Sequence, residues 1–274
     1  MAFEIPGYST TRTVGAGGMT KLYLALDAQQ NRYLLRVLNA ELEKNRTARN
    51  RFLASAGILR ALQQPRADRA FPKLVKSGEL KGRQYMLLEY VEGRSLRELI
   101  QSAALGDKRL ESNVLSLMRQ LAHAVQAVHA HGFLHLDIKP ENILVEEETG
   151  RLVLIDFDLA IPRKRFFKRV RELPGTTAYV APETLANHRP DDQSDVYSFG
   201  VTCYEMLSLH RPYEGTRIDD VRAAQADPKT PPTPIRQHVP NLSPALANWV
   251  MKCIAKNPAD RYPDMTLVLR DLGR

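Results

Sequence analysis

HLDIKPEN, at residues 135–142, is the stretch of this sequence that decides its fold. Within it, Asp137 is suited to accept the proton of an attacking hydroxyl group, and Lys139 is suited to contact a transferring phosphoryl group. Phosphoryl transfer depends mostly on positioning and charge stabilisation, so a few polar side chains at fixed spacing are sufficient. The spacing therefore predicts phosphoryl-transfer chemistry.

A second motif, IDFD at residues 155–158, follows soon after along the chain. Asn142 in the first motif and Asp156 in the second supply an amide oxygen and a carboxylate oxygen. Mg²⁺ accepts such oxygen donors when it binds a few protein ligands together with phosphate oxygens. The two motifs together predict a magnesium ion that takes part in the transfer.

The composition of the 274-residue chain is that of an ordinary globular protein, with 43% hydrophobic and 26% charged residues. These values exclude disorder, collagen and coiled coil as the main state. No run of about 18 apolar residues predicts a membrane span, and the N-terminal residues lack the apolar region of a signal peptide. The two cysteines, Cys203 and Cys253, do not form a CxxC motif and are expected to be buried thiols in a reducing compartment. A cytoplasmic protein is therefore expected.

Positive charge is concentrated in one segment, RKRFFKRVR at residues 163–171, which carries six basic side chains against a net charge of +8 for the whole chain. Such a distribution favours a local contact with an acidic partner over general binding to polyanions. Pro162 and Pro174 bracket the segment, and the spacing of its apolar residues predicts a short amphipathic helix there.

Strand patterns dominate the chain up to Val91. LYLALD (residues 22–27) and YLLRVL (residues 33–38) predict a hairpin, and QYMLLEYV (residues 84–91) predicts a buried strand. A helix is predicted over residues 52–62, with one apolar face. The residues of that face are Phe52, Ala56, Leu59 and Leu62.

Helical patterns dominate the remainder of the chain. Ser95 and Glu98 predict a capping box at the start of one helix. A longer helix is predicted up to Gly132 from apolar residues at helical spacing, and residues 143–145 and 151–155 predict a short hairpin. The apolar residues of the longer helix are Val114, Leu117, Leu121, Val125 and Val128. Two strongly apolar helices are predicted from SDVYSFGVTCYEML and LSPALANWVMKCIA.

These motifs resemble those of the eukaryotic-type protein kinase family, and the bacterial serine/threonine kinases in particular. VGAGGMTKLYLA resembles the glycine-rich loop, and GTTAYVAPE resembles the end of the activation segment, with Thr176 and Glu183 matching. Asp195 in SDVYSFG matches the aspartate that anchors the catalytic loop, and Arg261 in NPADRY matches the buried partner of Glu183. The resemblance covers essentially the whole chain.

The resemblance implies an α+β, two-lobed protein kinase fold as a single domain over residues 1–274, with an N-lobe over 1–91 and a C-lobe over 92–274. It implies ATP and Mg²⁺ as cofactors, with Mn²⁺ as an alternative metal. Asp137 would be the catalytic base and Lys139 the phosphate contact, while Asn142 and Asp156 would be the metal ligands. The implied nucleotide contacts are Val14, Gly15, Gly17, Leu22, Leu34, Arg36, Glu89, Val91 and Leu144.

Four positions depart from the family pattern, and all four bear on the nucleotide. Arg36 replaces the lysine of the third strand, and Ser55 replaces the glutamate that pairs with that lysine. Leu34 replaces an alanine below the adenine, where extra bulk would cost about 1–3 kcal/mol. Asp158 replaces the glycine of the DFG motif, and two interpretations stay open for it. Either it is the counter-ion of Arg36, or it is a solvated turn residue.

The usual phosphorylation switch is also missing from the sequence. Leu136 replaces the arginine that binds a phosphorylated activation loop, and no serine, threonine or tyrosine lies between Asp158 and Gly175. An activation segment that is ordered in some other way is therefore expected, and docking of the predicted 162–174 helix is one hypothesis.

The leading functional interpretation is a serine/threonine protein kinase that transfers the ATP γ-phosphate to protein hydroxyls, because Lys139 is followed by Pro140 and Glu141 as in that subfamily. The alternative is a pseudokinase that acts as an interaction scaffold and binds nucleotide weakly or not at all. The expected partners are ATP and a protein substrate or scaffold partner, acidic where it meets residues 163–171. Contact of that segment with nucleic acid or an anionic membrane is a weaker alternative.

Overall fold

A computed structural model describes residues 3–64, 69–163 and 177–273. The chain divides into two compact units. The first comprises Met1–Glu92 together with Ile155–Asp158, and the second comprises Gly93–Leu154 and Leu159–Arg274. The predicted helix over residues 162–174 falls almost entirely outside the described residues. The predicted single domain over 1–274, with its lobe boundary at Val91, stays a prediction.

A five-stranded antiparallel sheet forms the body of the first unit, with strand order β1-β2-β3-β5-β4. Its strands are β1 (Ser9–Ala16), β2 (Thr20–Leu26), β3 (Arg32–Leu38), β4 (Leu74–Leu80) and β5 (Arg83–Glu89). The predicted hairpin is confirmed as β2 and β3. Its turn is closed by the Asp27 carboxylate, which accepts hydrogen bonds from the backbone N–H groups of Gln29 and Asn31 at 2.9 and 2.8 Å.

Strand alternation gives the sheet two different faces. One face carries a hydrophobic cluster of Tyr23, Ala25, Leu35, Val37, Tyr85 and Leu87, covered by Phe3 and Ile5. The β2–β3 and β3–β5 registers pair Leu22 with Arg36 and Leu34 with Leu88. Because successive side chains of a strand point to opposite faces, these four residues share the other face.

Helix α1 (Arg46–Leu62) belongs to the first unit and packs on β4 and β5. It begins after Asn45, whose side chain accepts a hydrogen bond from the Ala48 N–H at 3.1 Å. All four residues of the predicted apolar face are buried, and Ser55 is buried with them. Packing of Phe52 and Leu59 therefore holds the helix in place where the family pattern has a glutamate.

Helices form most of the second unit. They are α2 (Leu96–Ala104), α3 (Arg109–Ala130), α4 (Pro182–Leu185), α5 (Asp192–Ser208), α6 (Ile218–Ala226), α7 (Pro244–Cys253) and α8 (Met265–Leu272). The strands are β6 (Gly93–Ser95), β7 (Phe133–Leu134), β8 (Ile143–Glu146), β9 (Leu152–Leu154) and β10 (Ile161–Pro162). The predicted capping box of Ser95 and Glu98 is present, and the predicted hairpin is confirmed as β8 and β9.

Helix α5 is buried on nearly all sides and packs against α3 and α7. Gly200 allows the closest approach, because a Cβ atom there would lie 2.5 Å from the Cβ of Cys253. Phe199 and Trp249 meet edge to face, with ring centroids 5.8 Å apart. Both cysteines are buried free thiols. Among the described residues, no helix is both long and apolar enough to cross a membrane.

Candidate active site

The beginning of the predicted catalytic loop, residues 135–142, is held in the second unit by the buried carboxylate of Asp195 in α5. Its two oxygens accept hydrogen bonds from the backbone N–H groups of His135 and Leu136, each at 2.8 Å. His129 Nε2 lies 2.8 Å from Asp195 Oδ2. Although burial disfavours the charge, the hydrogen bonds from His129 and the backbone hold the pKa of Asp195 below its ordinary value.

Three of the predicted site residues meet in this loop. Lys139 Nζ donates to both carboxylate oxygens of Asp137, at 2.7 and 2.8 Å. Asn142 Nδ2 donates to Asp137 Oδ2 at 2.7 Å and to the Asp137 backbone carbonyl at 2.8 Å. The three side chains therefore form one hydrogen-bonded cluster around the carboxylate that the sequence indicates as the base.

Burial raises the pKa of Asp137, while Lys139 and Asn142 act in the opposite direction by favouring the charged form. A carboxyl group whose pKa lies above the ordinary 3.8 is a stronger base than an exposed aspartate. The cluster thus has the chemistry to hold a substrate hydroxyl group and accept its proton.

The donor set of the cluster also fits a hard cation. Both amide protons of Asn142 are used in hydrogen bonds to Asp137, which leaves Asn142 Oδ1 as the atom that can coordinate a cation. Amide and carboxylate oxygens are the ligands that Mg²⁺ prefers. Asp156, the other predicted metal ligand, belongs to the first unit, where its side chain is 36% exposed.

The glycine-rich turn lies between β1 and β2 in the first unit. Gly15 pairs with Leu22 in the β-ladder, and a Cβ on Gly15 would lie 3.3 Å from Leu22 Cδ1. Asn39 Nδ2 donates to the carbonyls of Gly17 and Gly18, each at 3.2 Å. Sequence reasoning missed Asn39, because the contact joins residues more than twenty positions apart.

The other predicted nucleotide contacts are distributed over both units. Val14 is exposed on β1, Leu34 is half-buried on β3, and Val91 is half-buried beyond the end of β5. Glu89 ends β5 and accepts a hydrogen bond from the Lys73 backbone N–H at 3.1 Å. Leu144 lies on β8 in the second unit, paired with Val153.

Arg36 is the most constrained of the predicted residues. It is buried on β3 and donates from Nε to Thr20 Oγ1 at 3.2 Å. Its Nη2 donates to Asp156 Oδ1 at 3.3 Å and forms an ion pair with Asp158. The Phe52 ring lies 5.8 Å from the guanidinium carbon. The interpretation of Asp158 as the counter-ion of Arg36 is therefore confirmed, and that of a solvated turn residue is wrong.

Burial acts on both members of this ion pair. It raises the pKa of Asp158 because it disfavours the carboxylate, an effect that Arg36 opposes. Burial also acts to lower the pKa of Arg36, but Asp156 and Asp158 outweigh it and the pKa stays above the ordinary value. Because arginine does not lose its proton in proteins, the guanidinium is charged and the neighbouring carboxylate is its compensation.

The predicted partnership of Glu183 and Arg261 is confirmed in the second unit. The guanidinium forms a bidentate pair with the carboxylate, with both N–O distances at 2.8 Å. Arg261 also donates to the backbone carbonyls of Ala255, Lys256 and Gln193. Although burial alone would raise it, the hydrogen bonds and charge of Arg261 lower the pKa of Glu183.

A second ion-pair network in this unit was not predicted. Arg97 on α2 donates to Glu141 at 2.8 Å and to Glu205 on α5 at 2.6 Å. The Tyr179 hydroxyl group contacts both Arg97 and Glu205. The network thereby joins the end of the predicted catalytic loop to the chain just after residue 176. No local signal in the sequence indicates it, since its members lie far apart along the chain.

The fold and these clusters define a protein kinase domain. The family model described as "Protein kinase domain" matches residues 8–270. The chain therefore belongs to the protein kinase domain family.

Similar curated proteins are bacterial. The chain is 29% identical over 270 residues to "Probable serine/threonine-protein kinase CPE1738" of Clostridium perfringens, covering 97% of this chain and 38% of that protein. It is 30% identical over 295 residues to "Serine/threonine-protein kinase PknD" of Chlamydia trachomatis, covering 93% and 30%. It is 29% identical over 261 residues to "Serine/threonine-protein kinase PknJ" of Mycobacterium tuberculosis, covering 93% and 43%. The chain thus spans less than half the length of these relatives.

Proposed function

We propose that this chain is a serine/threonine protein kinase that transfers the γ-phosphate of ATP to hydroxyl groups of proteins. The observation that carries the proposal is the cluster of Asp137, Lys139 and Asn142, held on a loop whose backbone is hydrogen-bonded to Asp195. Similarity to proteins named as serine/threonine kinases supports the substrate class.

In this proposal the three clustered side chains have separate roles. Asp137 accepts the proton of the attacking hydroxyl group, and Lys139 turns from Asp137 to the transferring phosphoryl group. Asn142 Oδ1 and the Asp156 carboxylate would hold Mg²⁺, or Mn²⁺ in its place. When bound, the metal neutralises charge on the phosphate oxygens. The cluster's own contribution is to orient the hydroxyl group and to receive its proton.

The proposed contacts to ATP are those that the family resemblance implies. Arg36 would contact the phosphates, and the glycine-rich turn would cover them with backbone N–H groups. Leu22 and Leu34 lie on the same sheet face as Arg36 and would contact the adenine. The remaining proposed contacts are Val14, Gly15, Gly17, Glu89, Val91 and Leu144.

A protein substrate is the proposed partner, and a cytoplasmic location is proposed with it. An acidic substrate would suit the basic segment 163–171, most of which lies outside the described residues. Arg163, its first residue, is already paired with Asp192 and donates to the His129 carbonyl at 2.9 Å. The proposed acidic contact therefore depends on the later basic residues of the segment.

The direct test is transfer of labelled phosphate from ATP, with Mg²⁺, to casein as an acidic substrate and to histone as a basic one. Wild type is expected to label protein, and Asp137→Asn is expected to lower the rate by about 10²–10⁴-fold because the base is lost. Asp219→Asn, an exposed carboxylate on α6, is the matched control and should leave the rate unchanged. Equal labelling by wild type and Asp137→Asn would show that the proposal is wrong.

A pseudokinase scaffold is the second candidate, and one observation favours it. Arg36 donates to Asp156, the proposed metal ligand, so the metal has to share that carboxylate with a buried guanidinium. A thermal-shift titration distinguishes the two candidates, because a ligand that binds only the native state raises Tm. Stabilisation by ATP that requires Mg²⁺ or Mn²⁺ supports the kinase, and no stabilisation supports the scaffold.

A further inference from the structure

Helix α1 offers no carboxylate to Arg36, the basic residue on β3. Over Arg46–Leu62 the helix contains no aspartate or glutamate, and its charged side chains are all arginines. Ser55, at the position where the family pattern has the glutamate, is completely buried. The counter-ion of the Arg36 guanidinium must therefore come from another part of the chain.

Asp158 supplies the missing carboxylate from the segment after β9. The Arg36 and Asp158 side chains form an ion pair and are only 10% and 13% exposed. A buried guanidinium without a counter-ion would be costly, and this carboxylate removes that cost. Asp156 is the weaker partner of Arg36, because its oxygen is 3.3 Å away and its side chain is 36% exposed.

The contacts fix both the position and the plane of the guanidinium. Thr20 Oγ1 accepts from Nε on one side, and the two aspartates accept from Nη2 on the other. Within residues 3–64, 69–163 and 177–273, no side chain or carbonyl accepts a hydrogen bond from Nη1. That nitrogen keeps two donors for an anionic ligand such as a nucleotide phosphate.

We propose that Asp158 is a positioning residue for the nucleotide: it holds Arg36 in the orientation that contacts phosphate and takes the place of a glutamate on α1. The inference rests on the proposed function, since it assigns Arg36 to a nucleotide phosphate. Its consequence is that phosphate contact does not depend on any charge carried by α1.

Nucleotide affinity tests this role directly. The dissociation constant of a fluorescent ATP analogue with Mg²⁺ is measured for wild type, Asp158→Asn, Arg36→Met and the double variant. Asp158→Asn keeps the shape of the side chain but removes its charge, and it should weaken binding about tenfold, which corresponds to about 1.4 kcal/mol. The double variant should bind no more weakly than Arg36→Met alone, because both changes remove one interaction.

Glu79→Gln is the matched control. It neutralises the partner of Arg49 in an exposed pair of the same unit, and it should not change nucleotide affinity. The thermal unfolding of each variant without nucleotide is measured in parallel, so that a loss of folding is distinguished from a loss of binding.

Moving the carboxylate from position 158 to position 55 distinguishes the positioning role from a general structural role, because only the positioning role predicts that binding is recovered. Ser55 is buried on α1 at the position where the family pattern has the glutamate that pairs with the basic residue of β3, so a longer acidic side chain at 55 can approach the Arg36 guanidinium. Asp158→Gly should weaken binding about tenfold, and adding Ser55→Glu should recover it to within about threefold of wild type. Ser55→Glu alone should weaken binding, because it sets two buried carboxylates close together.

The outcomes separate this inference from the proposed function. If wild type binds the nucleotide and both Asp158 variants bind it equally well, the positioning role is wrong and the kinase proposal stands. If folded wild type binds no nucleotide with Mg²⁺, the proposed function is wrong and the role of Asp158 toward nucleotide is overturned with it. Tenfold weaker binding with recovery by Ser55→Glu supports the role.

Discussion

The loop of residues 135–142 and the sheet face around Arg36 differ in how closely they follow the kinase pattern. In the loop, Asp137, Lys139 and Asn142 have the residue types of the family and are hydrogen-bonded to one another. On the sheet side, the lysine and glutamate pair of the family is replaced by Arg36 and Asp158, which are again paired. The loop keeps its residues, whereas the sheet side keeps an ion pair but builds it from different ones.

This difference shows that a residue that departs from a family motif has to be considered together with the residues that it contacts in the fold. Arg36, Ser55 and Asp158, taken one at a time, each indicate a damaged nucleotide site. Taken together they provide a buried cation with a counter-ion, and the buried Ser55 side chain adds no charge of its own. Leu34 is the exception, since it is an uncharged residue and takes no part in this ion pair.

The largest expected effect comes from breaking the loop that follows the family pattern. Asp195→Asn keeps the shape of the side chain but places an N–H group opposite a backbone N–H donor. Because the site is fully buried, we expect the free energy of unfolding to fall by about 3–5 kcal/mol, measured by urea denaturation. The control is Asp219→Asn, which is exposed and should change that free energy by less than about 1 kcal/mol.

The cost of Asp195→Asn should also depend on pH. The pKa of Asp195 lies below its ordinary value of 3.8 in the folded state, so its ionisation stabilises the fold. This stabilisation is fully present above the unfolded-state pKa and is lost as the pH falls through the folded-state pKa. The difference between wild type and variant should therefore be constant near neutral pH and shrink at strongly acidic pH. A difference that grows on acidification would contradict the assignment.

Local patterns made much of the fold predictable from sequence. Alternation predicted the β2–β3 hairpin, and helical spacing predicted the buried face of α1, because both depend on residues that are close along the chain. The cluster in residues 135–142 was predictable for the same reason. The network of Arg97, Glu141 and Glu205 was not, since its contacts span 44 and 108 residues and arise only when α2 and α5 pack.

The pairing of Arg36 with Asp158 is an intermediate case. Its partners are 122 residues apart, yet the hypothesis was available because a missing partner and an extra carboxylate were both visible in the sequence. The role of Thr20 was not visible, because nothing marks a threonine beside a glycine-rich turn as the acceptor for a guanidinium. An ion pair can thus be predicted when the sequence shows an unpaired charge and an extra opposite charge. A hydrogen bond to a neutral side chain is seen only in the folded geometry.

Leu34→Ala tests the departure on the sheet side that lacks compensation. If the leucine crowds the adenine, its removal should tighten ATP binding by up to about tenfold, while the half-buried site loses about 1–2 kcal/mol of stability. The two effects have opposite signs, so calorimetric binding and thermal unfolding are measured on the same sample. Leu24→Ala, at the paired position of β2, is the control. It should lose stability without any gain in affinity, and an equal gain in both variants would show that crowding by Leu34 is not the cause.

The smallest expected effect is that of Asn39, which holds the glycine-rich turn through two hydrogen bonds to backbone carbonyls. Asn39→Ala removes both bonds at a half-buried site, so the free energy of unfolding should fall by only about 0.5–1 kcal/mol. A looser turn should raise the KM for ATP about two- to threefold and leave kcat unchanged, because ATP binding is weakened equally in the ground state and in the transition state. Asn31→Ala is the matched control, since Asn31 donates to Asp27 at 2.9 Å in the neighbouring turn of the same sheet. This control should cost similar stability without a change in the KM for ATP. An equal rise in KM for both variants would mean that the stability of the whole sheet sets the affinity for ATP, and that the contact of Asn39 with the glycine-rich turn does not.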